Sequence, residues 1–458
     1  MAKILLATLN AKYIHASLGL RYLAANMGAL AGATAIREFT IAQRPIEIAE
    51  AILADAPSIV GFGVYIWNTE ETARVIGILE AARPEMVIVV GGPEVSHETG
   101  AQAVANAADY VITGAGDITF ARLAAAILAG DRPAARVIAG EQPALESLAL
   151  PYALYTERDL RERLVYVEAS RGCPFKCEFC LSALDKTAWP FPLERFLDAM
   201  AALYDRGARH FKFVDRTFNL NVKTSAAILE FFLARIRDGD PLFVHFELIP
   251  DHLPERLKAL IARFPAGALQ LEIGIQTFDP AVQALISRRQ DDAAAEANLR
   301  WLRESTYAHL HVDLIAGLPG EDLASFARGF DRLHALAPHE IQVGILKRLR
   351  GAPIARHTGG FAMRYNPAPP YEVLATDRID FATMRRVARF ARYWDLLANS
   401  GRFRHTLALV IAGTPFARFM RLADWLYAIT GKTHAIALER LYALMLRALV
   451  EEFAVAPD

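Results

Sequence analysis

The sequence predicts an α/β chain in three parts: an N-terminal doubly wound parallel sheet, a second parallel sheet curled into a partial barrel, and a mainly helical C-terminal region. Three observations predict it. Five short apolar runs alternate with helical stretches over residues 1 to about 140. Six more runs recur between 164 and 346. From about 370 onward apolar residues fall at three- and four-residue spacing.

The first set of runs is KILLAT (3–8), TAIREFTI (34–41), SIVGFGV (58–64), MVIVVGG (86–92) and ADYVITG (108–114), with helical stretches such as NTEETARVIGILEAA (68–82) between them. This rhythm predicts βαβ units in an open sheet of the Rossmann-like, flavodoxin-type kind, over residues 1–139. Residues 140–163 carry prolines and charges without a period and read as a linker. The second set is LVYVEAS (164–170), HFKFVD (210–215), LFVHFEL (242–248), LQLEIGI (269–275), HLHVDLI (309–315) and EIQVGIL (340–346). Each gap holds one or two helices, which fits a partial (β/α)6 TIM-type barrel over 164–350, with its chemistry at the carboxyl ends of the strands. Residues 351–458 form the third region, with helices expected in DFATMRRVARFARYWDLLANSG and HAIALERLYALMLRALVEEF.

Composition narrows the function. The chain has 458 residues, 53% of them hydrophobic, and a formal net charge of −1, so no electrostatic footprint for nucleic acid or anionic lipid exists. The arginines at 385, 386, 389 and 392 sit among Asp377, Asp380 and Asp395 and read as a solvated helix face. Neither the opening run nor LALVIAG (407–413) is long enough to span a bilayer. All three cysteines, Cys173, Cys177 and Cys180, fall within RGCPFKCEFC (171–180), directly after the first barrel strand. Three thiols cannot pair completely, so a reducing, cytoplasmic setting is expected, with the thiols free to hold a metal.

Thiolates are soft ligands suited to zinc or iron–sulfur clusters. A C-x3-C-x2-C run without a fourth cysteine suits a 4Fe-4S cluster with one iron left open for substrate. A zinc site completed by a histidine, or three thiols without metal, remains open on spacing alone.

CPFKCEFC after a strand resembles the signature of the radical S-adenosylmethionine (SAM) enzymes. The resemblance implies that the open iron chelates the methionine amino and carboxylate groups of SAM, and that Phe179 lies against the adenine. FVDRTFN (213–219) matches the second-strand motif, with Asp215 near the methionine amino group. HFELIPD offers Glu247. LEIGIQTFDPAVQALISRR (271–289) resembles the fourth-strand segment near the ribose and supplies Gln276. DLIAGLPGE (313–321) resembles the fifth-strand end and supplies Gly317. Structural roles are also open: Asp215 with Arg216 as a rim ion pair, Glu247 as a helix cap, and Gly317 with Pro319 and Gly320 as a turn. Arg288 and Arg289 fit a helix C-terminus. No residue is assigned a catalytic role.

VVGGPEVS followed by ADYVITGAGDITF resembles the cobalamin-binding domain fused ahead of many radical SAM proteins, and the whole chain resembles members with a helical C-terminal domain of unknown function. The resemblance implies cobalamin beside Gly63, Tyr65, Trp67, Gly91, Gly92 and Gly114. His97 is a further pocket candidate. One departure is local: where such domains carry D-x-H-x-x-G, this chain has YIHASLG, with Tyr13 for the aspartate and Gly19 one residue late, so His15 is a poor match for the cobalt-binding histidine. The implied activity is radical cleavage of SAM, cobalamin-dependent and of methyltransferase type, on an unidentified small-molecule or peptide substrate. An electron donor such as flavodoxin or ferredoxin is implied as partner. A corrinoid- or redox-responsive sensor, and a SAM-only radical enzyme with a vestigial first domain, are the alternatives.

Overall fold

The computed structural model describes residues 3–185 and 187–455, so the outer limits expected for the first and third regions, 1 and 458, lie outside the described residues. Its N-terminal sheet comprises β1 (Ile4–Asn10), β2 (Thr34–Thr40), β3 (Ile59–Gly63), β4 (Val87–Gly91), β5 (Tyr110–Thr113) and β6 (Val137–Ala139). The strands are parallel and ordered β2-β1-β3-β4-β5-β6. All seven residues of β1 are buried, because helices cover both faces. Leu5, Ala7 and Leu9 pack to one side, Ile4 and Leu6 to the other. Since β1 has β2 on one flank and β3 on the other, the switch point lies between the carboxyl ends of β1 and β3. The edge strand β6 escaped the sequence reading because its three residues are too short a run to show a period.

The second sheet is built from β7 (Val165–Val167), β10 (His210–Phe213), β11 (Phe243–Leu248), β12 (Leu269–Gln276), β13 (His309–Ala316) and β14 (Glu340–Ile345). Between β7 and β10 the short antiparallel pair β8 (Ser170–Gly172) and β9 (Ala188–Pro190) brackets the cysteine loop. The six main strands follow one another in chain order, β7-β10-β11-β12-β13-β14, all parallel. Side chains alternate cleanly. In β12, Leu269, Leu271, Ile273 and Ile275 are buried against the helices, while Gln270, Glu272, Gly274 and Gln276 face the other way, into the barrel. β13 repeats this with His309, His311 and Asp313. The lumen is therefore polar and cross-linked by charge: His245 lies 3.1 Å from Glu272, and Glu340 accepts from His309 at 2.9 Å and from His311 at 2.8 Å. Burial alone would lower the His311 pKa, but Asp313 and Glu340 outweigh it and raise it to about 10.

The third region adds the small pair β15 (Arg364–Tyr365) and β16 (Val373–Ala375), then helices Phe381–Trp394, Arg404–Val410, Pro415–Thr430 and Leu438–Arg447. The first and last of these lie in the two stretches expected to be helical. Helix Pro415–Thr430 falls within the region expected to be mainly helical, without having been singled out. No single helix among the described residues is long and apolar enough to cross a membrane. The apolar character of Pro415–Thr430 goes into packing: Phe416 and Phe419 join Phe390, Trp394 and the barrel's Phe330 in one aromatic cluster, with ring centroids 4.8–5.8 Å apart.

Residues 140–163, expected as a linker, form a packed seam. Leu145, Leu148, Tyr152 and Tyr155 are buried, and Thr156 and Asp159 cap helix Glu157–Glu162 reciprocally. The charges that suggested a solvated linker are spent in a buried network. Arg21 reaches Glu38 at 3.0 Å and Asp159 at 2.9 Å; Arg163 reaches Glu38 at 2.7 Å and Asp159 at 3.0 Å. Sequence spacing hid this, because Glu38 and Arg163 are 125 residues apart.

Removing one carboxylate leaves two guanidinium groups buried and under-compensated, so Glu38→Ala is expected to cost roughly 3–5 kcal/mol in urea unfolding. Despite burial, the arginines and the Thr156 backbone hold the Asp159 carboxyl down at about 2. A depressed acid stabilises above its unfolded pKa and loses that contribution as pH falls through the folded value. The seam's contribution is thus complete above about pH 4 and declines toward pH 2. Melting curves in which Glu38→Ala matches the parent at neutral pH would refute the assignment.

Candidate functional site

The cysteine loop starts where β7 ends, at the carboxyl mouth of the barrel, and is closed at its base by β8 and β9. Gly172 has φ +85°, and a side chain there would meet the Trp189 ring at 2.8 Å, so only glycine lets the two ends close. Cys173, Cys177 and Cys180 share the wall of one cavity of about 250 Å³. Among the described residues no three His, Cys, Asp or Glu side chains form a ready-made metal cage. Burial pushes the Cys173 thiol up, and the other two cysteines push it further. Three thiolates at this spot therefore need a compensating cation, which is the chemistry of a soft-metal site. Arg288 already leans in, with Nη1 3.5 Å from Cys177 Sγ.

Three of the five residues expected at SAM lie on this wall: Phe179, Glu247 and Gln276. Glu247 pairs with Arg216 at 3.2 Å, while burial raises its carboxyl. Gln276 stands at φ +70°, where the β12–β13 register shifts, and its Oε1 is buried with no partner. An unspent acceptor in a strained backbone at a cavity wall is a ligand-ready feature. The other two residues expected there, Asp215 and Gly317, do not line this cavity. Both oxygens of Asp215 are taken, one by the Ala169 N–H at 2.9 Å and one by Ser170 Oγ at 2.6 Å, so it braces the strand end that launches the loop. Gly317 has φ +87° and faces Val373 and Met384, and a side chain would come within 2.5 Å of Val373. It serves the packing of the third region.

Sequence reading missed Glu272 and Asp313, which also line the cavity, undervalued Arg288 and Arg289, and paired Arg216 with Asp215 where the structure pairs it with Glu247. The signal was present: the polar positions of LQLEIGIQ and HLHVDLI alternate onto one face, and that face is the lumen.

At the other sheet, Gly63, Tyr65 and Trp67 sit on the β3 side of the switch point and Gly91, Gly92 and Gly114 at the ends of β4 and β5. At Gly63, Gly91 and Gly114 an added side chain would meet nothing closer than 3.5 Å, so close packing does not demand their bareness. Gly92 differs: it lies against Val64, whose carbonyl a side chain would approach to 2.5 Å. Tyr65 and Trp67 stack at 4.5 Å, Trp67 is 43% exposed, and Asn68 ties the crevice together through Leu9 and Gly63. Open glycine edges beside the exposed Trp67, stacked on a half-buried Tyr65, fit a large flat ligand. His15 Nδ1 is 2.8 Å from the Tyr166 hydroxyl, and its backbone bridges to Leu164. His97 is packed under Gly351.

Loops at the carboxyl ends of the two sheets meet. Asp117, in the loop after β5, holds Arg171 of the cysteine loop through two bonds of 3.1 Å. Glu94 and Glu98, after β4, pair with Arg350 and Arg348, after β14. Both carboxyl edges thus open toward one seam.

Comparison with known proteins agrees with this architecture. Residues 4–124 match the B12 binding domain, 167–333 the radical SAM superfamily, and 359–455 a protein family of unknown function, DUF4080. The cobalamin-dependent radical SAM methyltransferase TokK of Streptomyces tokunonensis is 25% identical over 340 residues, covering 67% of this chain and 49% of TokK. The ribosomal protein uS12 methylthiotransferase RimO of Pelobacter propionicus is 26% identical over 42% of this chain and 44% of its own. The chain thus spans about half the length of these relatives or less. Two solved structures share the fold. The methyltransferase TsrM from Kitasatospora setae, with cobalamin and a [4Fe-4S] cluster bound, has TM-score 0.62 at 18% identity, covering 83% of this chain and 82% of TsrM. OxsB, with aqua-cobalamin and SAM bound, has TM-score 0.65 at 11% identity, covering 99% and 82%.

Burial, against its hydrogen bonds, pushes the Asp215 carboxyl up to about 7. A raised acid holds its proton in the folded state, so this group contributes stability at low pH that is lost as pH rises from about 4 to 7. The full swing is about 4 kcal/mol as an upper bound. Asp215→Asn keeps both partners and abolishes the titration. Its melting temperature is expected to exceed the parent's at pH 8 and to match it near pH 4, and parallel pH profiles would exclude the role.

Proposed function

Because this chain carries a B12-binding domain, a radical SAM domain and a DUF4080 region in that order, we propose that it is a cobalamin-dependent radical SAM enzyme of methyltransferase type. The observation that carries the reading is the placement of Cys173, Cys177 and Cys180 on one cavity wall at the mouth of a parallel barrel, with Arg171 just ahead of them held by Asp117 of the B12-type sheet's loop. The working division is a cobalamin unit at 1–139, a seam at 140–163, the radical SAM barrel at 164–350 and a specificity unit at 351–458.

In this reading the three cysteines hold a 4Fe-4S cluster. When bound and reduced, it supplies the electron that splits SAM into methionine and a 5′-deoxyadenosyl radical. Gln276 Oε1 and the Glu247 carboxylate present acceptors to the nucleoside, and Phe179 presents a ring to its base. Arg216 and Arg288 counter the negative charge that gathers at the cavity. The surrounding barrel keeps water from the radical. Cobalamin would be held on the Gly63, Gly91 and Gly114 edge beside Tyr65 and Trp67 and would supply a methyl carrier there. Gly92, Asp215 and Gly317 act as supports, as their packing indicates. The substrate class proposed is a small molecule or peptide, and the electron donor a flavodoxin or ferredoxin in the cytoplasm. The name of the TokK relative supports methyl transfer.

Anaerobically reconstituted protein given dithionite, SAM and cobalamin should retain a corrinoid absorption band and release 5′-deoxyadenosine. Cys177→Ala should lose the iron–sulfur absorbance and reduce release to background. Gln276→Ala should keep the cluster and weaken SAM binding by on the order of tenfold. Stoichiometric zinc instead of iron, or undiminished release by Cys177→Ala, would overturn the reading.

A further inference from the structure

Glu178 lies between two of the cysteines, yet it is only 4% exposed and is not part of the cavity wall. Its carboxylate is spent on other segments. Oε1 accepts from Ser287 Oγ at 2.5 Å and from the Arg356 guanidinium, and Oε2 lies 2.9 Å from His357 Nε2. Its backbone is held as well: the Glu178 N–H donates to Ile286 at 3.0 Å, and the Ile354 N–H donates to the Glu178 carbonyl at 2.8 Å. The adjoining Phe179 and Leu181 pack into the apolar cluster that contains Ile286, Ile354 and Val373. A carboxylate this buried is tolerated only when fully partnered, so the sequence cost of an acid here needs a reason.

We propose that Glu178 is a positioning residue that docks the cysteine loop onto the segment 353–357, so that the third region helps set the geometry and charge around the iron–sulfur centre. This rests on the reading that the three cysteines hold that centre. Arg356 is the accessible half of the clamp, with a side chain 62% exposed, so its removal need not unfold the chain. The clamp adds a second hold on a loop otherwise gripped at its base by β8 and β9.

The test compares the full-length parent with Glu178→Gln and Arg356→Ala. Hydrogen exchange on the metal-free proteins reads the clamp directly. Both variants should exchange the Glu178 and Ile354 amides roughly tenfold faster or more. Redox titration followed by EPR on reconstituted protein reads the charge. Glu178→Gln should move the cluster midpoint upward and Arg356→Ala downward, opposite shifts that simple loosening would not produce. Unchanged exchange overturns the clamp. Faster exchange with potentials unchanged, or shifted in the same direction, overturns the positioning role and leaves a packing contact. A parent that binds no iron refutes the cluster reading instead, and the exchange data alone then decide the clamp.

Discussion

Three thiols confined to one loop repel one another as thiolates, and burial together with the other two cysteines pushes the Cys173 thiol up, so the loop must be held together by something other than themselves. The molecule answers with restraints from several directions. Gly172 lets the loop ends close against Trp189, and Asp215 ties down the strand end from which the loop departs. Arg171, two residues before the first cysteine, is fixed by Asp117 of the other sheet and by Glu168 at 2.8 Å. The cavity is thus a product of contacts that reach from every region of the chain.

Charge is the second organising element. A net charge of −1 reads as electrostatic neutrality, but it conceals acids and bases placed inside the protein. The Arg21–Glu38–Asp159–Arg163 network bonds the first region to the seam, and the His, Glu and Asp residues of the lumen replace the branched aliphatic layers that fill a closed barrel. Buried ion pairs contribute little net stability, yet they tolerate no missing partner. They therefore determine which surfaces meet more than how strongly they hold.

This explains what could be read in advance. Nearly every central strand was legible, because burial on both faces leaves a continuous apolar run, as in β1, and burial on one face leaves strict alternation, as in β12. Edge strand β6 and the pair β8 and β9 were not. These three are too short to show a period. At the site, Phe179, Glu247 and Gln276 fell on the cavity wall, while Asp215 and Gly317 turned out to face the protein. Strand-end position was readable, and side-chain direction was not.

By itself the sequence determined the three-part architecture, the order of the parallel strands along the chain and the grouping of the thiols, because each of these is written in local periodicity or spacing. Only the tertiary structure decided which acids support and which line the cavity, that residues 140–163 are a packed seam, and that the His15 ring meets the Tyr166 hydroxyl. The physical reason is the same in each case. A charged or polar side chain finds its partner across long stretches of sequence, as Glu38 does with Arg163, and no local pattern encodes that meeting.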